Sequence, residues 1–324
     1  MRKLFNILKK NILLIKLVFV LTIFYYIFSK DLVDLILVKK GLSNPKLIIL
    51  FLMLTFLQQL VGSARTKSLL FFNKRNELNL FKINNITWAS TFLNCILPTS
   101  IAGEVYKIKM IINNSKNETK DNVVYTSIIS KILTIIALVL ITMLASFTIN
   151  KEVLKDNNLL YLVIIFCGFL SLAFTYRIKI YKILILIYKK MNFQKEFINN
   201  RALHFHNYYS LLFLKPKLIV KPLIHSTILQ LLNVLSILLI VFFTKEITFE
   251  SLLKLSQVIP LGIFASIIPI SYQGLGTGNY AFNELFKLVG IENGSDIFTI
   301  YFSLSYIFNL LGIIPFTLYT LRSK

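Results

Sequence analysis

The chain has 324 residues, of which 56% are hydrophobic, and it carries 36 Lys and Arg against 14 Asp and Glu. Repeated apolar runs exclude a soluble globular protein, since about 20 such residues are enough to cross the hydrocarbon core of a bilayer. Basic cytoplasmic loops of a membrane protein account for the formal charge of +22, so we expect membrane lipids and no nucleic acid as partners.

Six full membrane spans are predicted from apolar runs that lie between polar or charged segments. No small-residue cleavage site follows the first run, so we interpret it as a retained helix and not as a removed signal. The predicted fold class is therefore an all-α polytopic membrane protein. The six spans cover residues 11–29, 47–62, 123–149, 159–176, 223–243 and 297–321. Between the first two, Asp31 and Asp34 mark a polar loop that is expected to run through Pro45.

Two further apolar segments, residues 83–106 and 252–286, are interrupted by proline and glycine. Such breaks are tolerated at membrane depth only where protein or a water-filled cavity satisfies the freed backbone groups. We predict a re-entrant broken-helix hairpin in each segment, and an inverted repeat in which the two hairpins enter from opposite faces. Both contain Pro-x-Ser-x-x-Gly, formed by Pro98, Ser100 and Gly103 in the first and by Pro269, Ser271 and Gly274 in the second.

The charge distribution predicts the orientation. With a cytoplasmic amino terminus and hairpins that leave on the side where they enter, 26 of the 36 basic residues fall inside, nine fall outside, and Lys131 lies in the membrane. Residues 177–222 then form a basic amphipathic cytoplasmic loop that contacts anionic phospholipid. We expect one integral membrane domain over residues 1–324, with halves 1–176 and 223–324. The expected location is a bacterial plasma (inner) membrane, with both termini cytoplasmic.

Charged residues near the first break are candidate substrate contacts. Glu104 and Lys107 share a helix face at i, i+3 spacing, so they could bind a zwitterionic head group or simply form an interfacial ion pair. Lys131 lies inside an apolar span, where a lone charge costs on the order of 3 kcal/mol. We interpret Lys131 as a phosphate contact or a partner of Glu104, with snorkelling to the membrane surface as the alternative.

The second interrupted segment offers backbone N–H groups, rather than charged side chains, as candidate substrate contacts. Gly274, Gly276 and Gly278 leave backbone amides open to a phosphate, and Asn279 follows them. Close packing of helices through small residues is the alternative explanation. We place the substrate where the residues of both motifs meet near the midplane.

Other candidate sites are few. Arg65, Lys67 and Lys109 are possible lipid-phosphate contacts, although cytoplasmic basic residues are ordinary at the end of a span. Cys95 and Cys167 both lie in apolar segments, so neither a disulfide framework nor a cysteine metal site is expected. We assign no catalytic residue, no metal and no cofactor.

At its two motifs the sequence resembles the transmembrane region of lysylphosphatidylglycerol synthases, a flippase-like family. The matching stretches run from Leu97 to Lys107 and from Ile268 to Gly276. Departures from the family pattern are Ala102 and Gln273 in place of glycine, Lys107 and Lys131 in place of arginine, and Asn279 in place of a frequent glutamate. A lysine at 107 keeps the charge but loses the two-pronged grip of arginine on phosphate.

The resemblance implies movement of a phospholipid or lipid-linked head group between leaflets. Bifunctional family members append an aminoacyl-transfer domain, and because this chain stops at Lys324, directly after its last predicted span, we expect no lysyl transfer. Two alternatives stay open: a membrane glycosyltransferase acting on a polyprenyl-phosphate-linked sugar, and a non-catalytic membrane partner protein. The balance favours a protein that is not an enzyme.

Overall fold

A computed structural model describes residues 34–70, 78–96, 101–115, 120–147, 216–267 and 274–322. The predicted spans 11–29 and 159–176 lie outside the described residues. The same holds for most of the predicted loop 177–222 and for the turn of each hairpin, residues 97–100 and 268–273.

Helices account for all the regular secondary structure within the described ranges. In chain order they are α1 Leu35–Leu42, α2 Pro45–Leu70, α3 Leu80–Ile96, α4 Ile101–Asn113, α5 Lys120–Phe147, α6 Pro216–Thr244, α7 Phe249–Ile267, α8 Thr277–Leu288, α9 Gly294–Leu310 and α10 Ile313–Arg322. Five described segments are long and apolar enough to cross a membrane: Pro45–Leu70, Lys120–Thr142, Ile219–Thr244, Phe249–Ile267 and Gly294–Leu318. The predicted all-α multi-pass membrane architecture is confirmed.

Helices α2 and α6 form an antiparallel pair. The Gln58 Nε2 atom donates a hydrogen bond to the Ser236 hydroxyl at 2.8 Å, and the Arg65 Nη1 atom donates to the Ser226 hydroxyl at 3.3 Å. Residue numbers rise along one helix while they fall along the other, which fixes the opposite directions. One end of the helix bundle therefore holds the carboxyl end of α2 and the amino end of α6, and the other end holds the amino end of α2 and the carboxyl end of α6.

The first predicted hairpin is formed by α3 and α4. The Ser90 hydroxyl donates to the Gly103 carbonyl at 2.7 Å, and the Gly103 N–H donates to the Asn94 side-chain oxygen at 2.9 Å. At the other end of the pair, Ile83 and Ile111 share a buried cluster with Leu70, the last residue of α2. The open end of this hairpin therefore lies at the carboxyl end of α2.

The second predicted hairpin is formed by α7 and α8. Gly262 packs against the ring of Phe282, and Gly274 packs against the backbone of Ser266, so these helices are also antiparallel. Helix α7 begins only five residues after α6 ends at Thr244, which places its open end at the carboxyl end of α6. The two hairpins thus open at opposite ends of the bundle. That either of them is re-entrant in a membrane stays a prediction.

Two local features differ from the sequence prediction. A polar loop was expected before Pro45, but α1 forms there, because the Asp34 carboxylate caps it by accepting from the N–H groups of Ile36 and Leu37. The Asp34 N–H also donates to the buried Asp296 carboxylate of α9 at 2.7 Å. This long-range contact holds the short helix in place.

The last predicted span, 297–321, is broken into α9 and α10. Pro315 has no N–H, and its ring would clash with the Leu311 carbonyl in a continuous helix, so the chain turns at Leu311 and Gly312. Gly312 lies so close to α3 that an added Cβ would meet the Trp88 carbonyl oxygen at 2.4 Å. The turn therefore brings α10 against the first hairpin.

Candidate functional site

A cavity of about 300 Å³ lies between α2, α3, α4, α5, α6 and α9. Its lining is mostly polar, although it is built from helices whose outer faces are apolar. The lining residues of the described chain are Thr55, Gln58, Gln59, Gly62, Ser63, Arg65, Thr66, Thr87, Glu104, Lys107, Ser127, Ser130, Lys131, Leu229, Tyr301, Ser305, Phe308 and Asn309.

Helix α2 presents a polar stripe to the cavity. Thr55, Gln59, Ser63 and Thr66 follow one another at intervals of three or four residues, so they lie on one face of the helix. The opposite face carries the exposed Leu50 and Leu57, as expected for a face in contact with lipid. The stripe turns the inner side of an apolar helix into one wall of a polar site.

Hydrogen bonds tie this stripe to the first hairpin. The Ser63 hydroxyl contacts the Asn84 side-chain oxygen at 3.1 Å and the Thr87 hydroxyl at 2.8 Å, and the Gln59 Nε2 atom donates to the Thr87 hydroxyl at 3.0 Å. These bonds satisfy polar groups of α3 that would be costly against lipid. The polar face of α3 therefore turns towards α2 and the cavity.

An ion pair lies at the start of α4. The Lys107 Nζ atom is 2.7 Å from a Glu104 carboxylate oxygen, and the two side chains are only 13% and 23% exposed. Lys131 and Ser127 of α5 interact favourably with the same carboxylate. The negative charge of Glu104 is thus compensated by the protein itself.

Arg65 is held on the other side of the site. Its Nη1 atom donates to the hydroxyls of Thr134 at 2.7 Å and Ser226 at 3.3 Å, whereas its Nε atom is buried and has no hydrogen-bond partner among the described residues. Within the described ranges no carboxylate lies within 4.0 Å of Arg65, although the guanidinium senses the charge of Glu104. A half-buried cation inside an apolar helix, with no paired carboxylate among the described residues, is typical of a functional site.

The charges of the described lining residues sum to +2. Arg65, Lys107 and Lys131 are positive, and Glu104 is negative. Because Lys107 and Glu104 neutralise each other, the excess charge resides on Arg65 and Lys131. The cavity therefore favours an anionic ligand.

The structure brings four of the predicted site residues together, namely Arg65, Glu104, Lys107 and Lys131. Gly103 lies beside them, but it packs against α3. Lys67 and the exposed Lys109 are not among the lining residues. Pro98, Ser100, Pro269 and Ser271 lie outside the described residues, so their substrate roles stay predictions.

The described part of the second motif does not line this cavity. Gly274 and Gly276 adopt positive φ values of 82° and 88° and form the entry to α8, where the Gly276 N–H donates to the Asn279 side-chain oxygen at 3.0 Å. The Asn279 amide nitrogen in turn donates to the Thr299 hydroxyl at 2.7 Å. Buried Gly278 packs against the ring of Phe298. Contacts of these residues with substrate stay predictions.

Sequence reasoning missed the neutral polar residues of the site. Gln58, Gln59, Ser127, Ser130 and Asn309 line the cavity but were not singled out. Their helical spacing within apolar segments was the available signal, because polar residues that recur every three or four positions mark one face of a span. No group of three or more His, Cys, Asp or Glu side chains in the described part of the chain is arranged to hold a metal ion.

Comparison with known proteins identifies one family. The family model of the lysylphosphatidylglycerol synthase TM region matches residues 13–312 of this 324-residue chain. No curated protein and no solved structure matches the chain.

Proposed function

Since the chain belongs to the lysylphosphatidylglycerol synthase transmembrane-region family, we propose that it moves a phosphate-bearing lipid head group between the leaflets of the membrane. The observation that carries this proposal is the cationic cavity among the spanning helices, in which Arg65 and Lys131 have no carboxylate of their own within 4.0 Å among the described residues. A head group would enter the cavity while its acyl chains stay in lipid.

The arrangement of the two hairpins supports an alternating mechanism. They open at opposite ends of the bundle, and the order of span, hairpin and span occurs twice, in α2 to α5 and in α6 to α9. In transporters of this type, movement of one half against the other opens a central site to each side in turn. We propose that each hairpin is re-entrant and that their rearrangement exposes the cavity to one leaflet at a time.

Movement of a fluorescent phospholipid in proteoliposomes tests this function. We expect wild-type protein to accelerate transfer between leaflets relative to vesicles without protein, and Lys131→Ala to slow transfer at least tenfold. Lys131 is the preferred site for substitution because its removal breaks no ion pair within 4.0 Å among the described residues. Reduction by external dithionite of lipid labelled on an acyl chain reports the rate.

Lys287→Ala is the matched control for this experiment. Lys287 lies on α8, forms an exposed ion pair with Glu284 at 3.0 Å, and does not line the cavity. It should transfer lipid at the wild-type rate. Wild-type rates in Lys131→Ala as well would reject the proposed site, and an inactive wild-type protein would reject translocation.

We further propose that the chain lies in a bacterial inner membrane with both termini in the cytoplasm. In this orientation the carboxyl end of α2 faces the cytoplasm, and a basic loop over residues 177–222 contacts anionic phospholipid. Contacts at the two ends of the bundle support this orientation. The ends of α2 and α4 share a buried cluster at Leu70 and Ile111, whereas Asp34 and Asp296 meet at the opposite end. The charge distribution of the sequence favours the first of these ends as the inner one.

Single cysteines introduced at exposed positions test this topology. In a background with Cys95 and Cys167 replaced by serine, we expect Asn79→Cys and Asn113→Cys to be labelled by an impermeant reagent only from the cytoplasmic side. Glu292→Cys, which lies before α9, should be labelled only from the outer side. Labelling of the first two positions from opposite faces would show that α3 and α4 together cross the membrane, which would exclude a re-entrant first hairpin.

A further inference from the structure

The second hairpin belongs to the part of the bundle that closes one end of the cavity. We infer that this hairpin is a gate between the cavity and the Pro45 end of the bundle, which holds the amino end of α2, and that Asn279 holds the gate shut. The inference rests on the proposed function, because it names the moving part of the same pathway and one residue that positions it.

The cavity lies away from the Pro45 end. Its lining residues on α2 begin at Thr55, so the first ten residues of that helix, about 15 Å, separate the cavity from the Pro45 end. Only four residues of α2 follow Thr66, the last lining residue, at the opposite end. On α9, whose amino end lies at the Pro45 end, the lining starts at Tyr301. The cavity is therefore nearer the carboxyl end of α2.

An apolar cluster fills the space between the cavity and the Pro45 end. Its members include side chains from α2, α6, α8 and α9, each at most 2% exposed, namely Phe51, Ile240, Phe282, Phe286 and Phe298. Among the described residues the first hairpin contributes no side chain to this cluster. The two hairpins thus differ, because the first borders the polar cavity and the second completes the apolar closure.

Aromatic rings connect the second hairpin to the cavity. The ring centroid of Phe282 on α8 lies 5.1 Å from that of Phe298 on α9, and Phe298 lies 6.2 Å from Tyr301. Tyr301 lines the cavity and packs edge-on against Phe51 of α2 at 5.9 Å. Because packed side chains transmit displacement, movement of α8 away from α9 would loosen the closure at Tyr301 and Phe51.

A buried amide joins α8 to α9 within this apolar region. The Asn279 Nδ2 atom donates to the Ser295 carbonyl at 3.1 Å and contacts the hydroxyls of Ser295 at 3.2 Å and Thr299 at 2.7 Å. Asn279 is 3% exposed and is not among the lining residues of the cavity. Hydrogen bonds are stronger in apolar surroundings than in water, so these contacts favour the closed arrangement.

The contacts of Asn279 with α9 are suited to breaking and reforming. The Thr299 hydroxyl also donates to the Ser295 carbonyl at 2.9 Å, and the Asn279 side-chain oxygen accepts from the Gly276 N–H at 3.0 Å. Both of these bonds are local and would remain when α8 moves away. Opening therefore exposes chiefly the Asn279 Nδ2 atom, which water entering the gate can satisfy.

Sided labelling of a cavity residue tests the gate. Ser305→Cys places a thiol in the cavity of a chain in which Cys95 and Cys167 are replaced by serine, and a small impermeant methanethiosulfonate is applied to each face of the membrane in turn. The face from which Glu292→Cys is labelled identifies the Pro45 end, because Glu292 is exposed just before α9. With Asn279 intact, we expect modification from this face to be at least about tenfold slower than from the opposite face.

Two substitutions should open the gate. Asn279→Asp keeps the acceptor for Gly276 but places an anion against the Ser295 carbonyl, and the nearly isosteric Thr299→Val removes the hydroxyl that accepts from Asn279. Loss of one hydrogen bond shifts a two-state equilibrium about fivefold, so modification from the Glu292 face should rise by about that factor or more. The matched control Thr299→Ser keeps the hydroxyl and should behave like the wild type.

The sidedness of the change separates a gate from a loss of stability. A variant that only loosens the bundle admits reagent from both faces. Similar increases from both faces, no increase in Thr299→Val, or equal rates from the two faces with Asn279 intact would overturn the inference while leaving translocation standing. Increases confined to the Glu292 face, in a protein that moves no lipid, would support the gate and reject the proposed function.

Discussion

Replacing Gly103 by alanine is expected to destabilise the protein by about 3 kcal/mol, at the upper end of what overpacking costs. An added Cβ would lie 2.1 Å from the Ser90 carbonyl oxygen and 2.5 Å from the Asn94 side-chain oxygen. The first of these atoms belongs to the backbone of α3, so the clash cannot be relieved by turning a side chain. The two helices of the first hairpin would have to move apart.

The substitution should also weaken the hydrogen bonds that join the two helices of the hairpin. Ser90 and Asn94 both bond to the Gly103 backbone, and separation of the helices would lengthen both contacts. Because Glu104 follows directly, the ion pair at the start of α4 would shift as well. We therefore expect Gly103→Ala to lower both the thermal midpoint and the rate of lipid movement.

Gly62→Ala is the control for this substitution. Gly62 lies within α2, and the nearest atom to its added Cβ is a flexible Leu229 methyl group at 3.4 Å, an ordinary contact distance. Alanine is favoured over glycine inside a helix by about 1 kcal/mol. The stability of Gly62→Ala should therefore equal or exceed that of the wild type. Equal stability of the two alanine variants would show that α3 and α4 do not pack as described.

Local sequence rules predicted the parts of the fold that depend on short-range pattern. Apolar length identified the spans that lie within the described residues, and the proline and glycine clusters marked where α3 is followed by α4 and α7 by α8. The i, i+3 spacing of Glu104 and Lys107 brought these charges into reach of each other. Each of these features is decided by residues that are close together in the chain.

Features that depend on contacts between distant residues could not be predicted in this way. Arg65 was expected at the end of a span, but it lies beside the cavity because Ser226 and Thr134 of other helices hold it there. Helix α1 forms where a loop was expected, and its cap residue Asp34 is held by Asp296, 262 positions away. The polar stripe of α2 could not be assigned to the cavity from the sequence, because the sequence does not say which face of the helix turns inward.

Glu104→Gln is the second substitution for which a large effect is expected, a loss of about 3 kcal/mol in the free energy of unfolding. Removing one member of a mostly buried ion pair leaves the other charge without compensation, which typically costs 3–5 kcal/mol. We choose the lower value because the cavity can admit water. Lys107 would then face Lys131 and Arg65 with no carboxylate among the described lining residues.

Glu284→Gln on α8 is the control for this variant, because Glu284 and Lys287 have the same i, i+3 spacing but are exposed. Exposed pairs contribute about 0–1 kcal/mol, so its stability should stay close to that of the wild type. Chemical or thermal unfolding of the purified chain measures both variants. Equal losses in Glu104→Gln and Glu284→Gln would show that the pair at the cavity is as well solvated as one on the surface.

The double variant Glu104→Gln with Lys107→Met separates folding from function. Removing both charges takes away the uncompensated cation, so most of the lost stability should return. Lipid movement should not return, because we expect the cavity to need the ion pair to hold a head group against Arg65 and Lys131. Recovery of both properties would mean that the ion pair serves only the fold, and that the head group is bound by the remaining cations and the polar wall of α2.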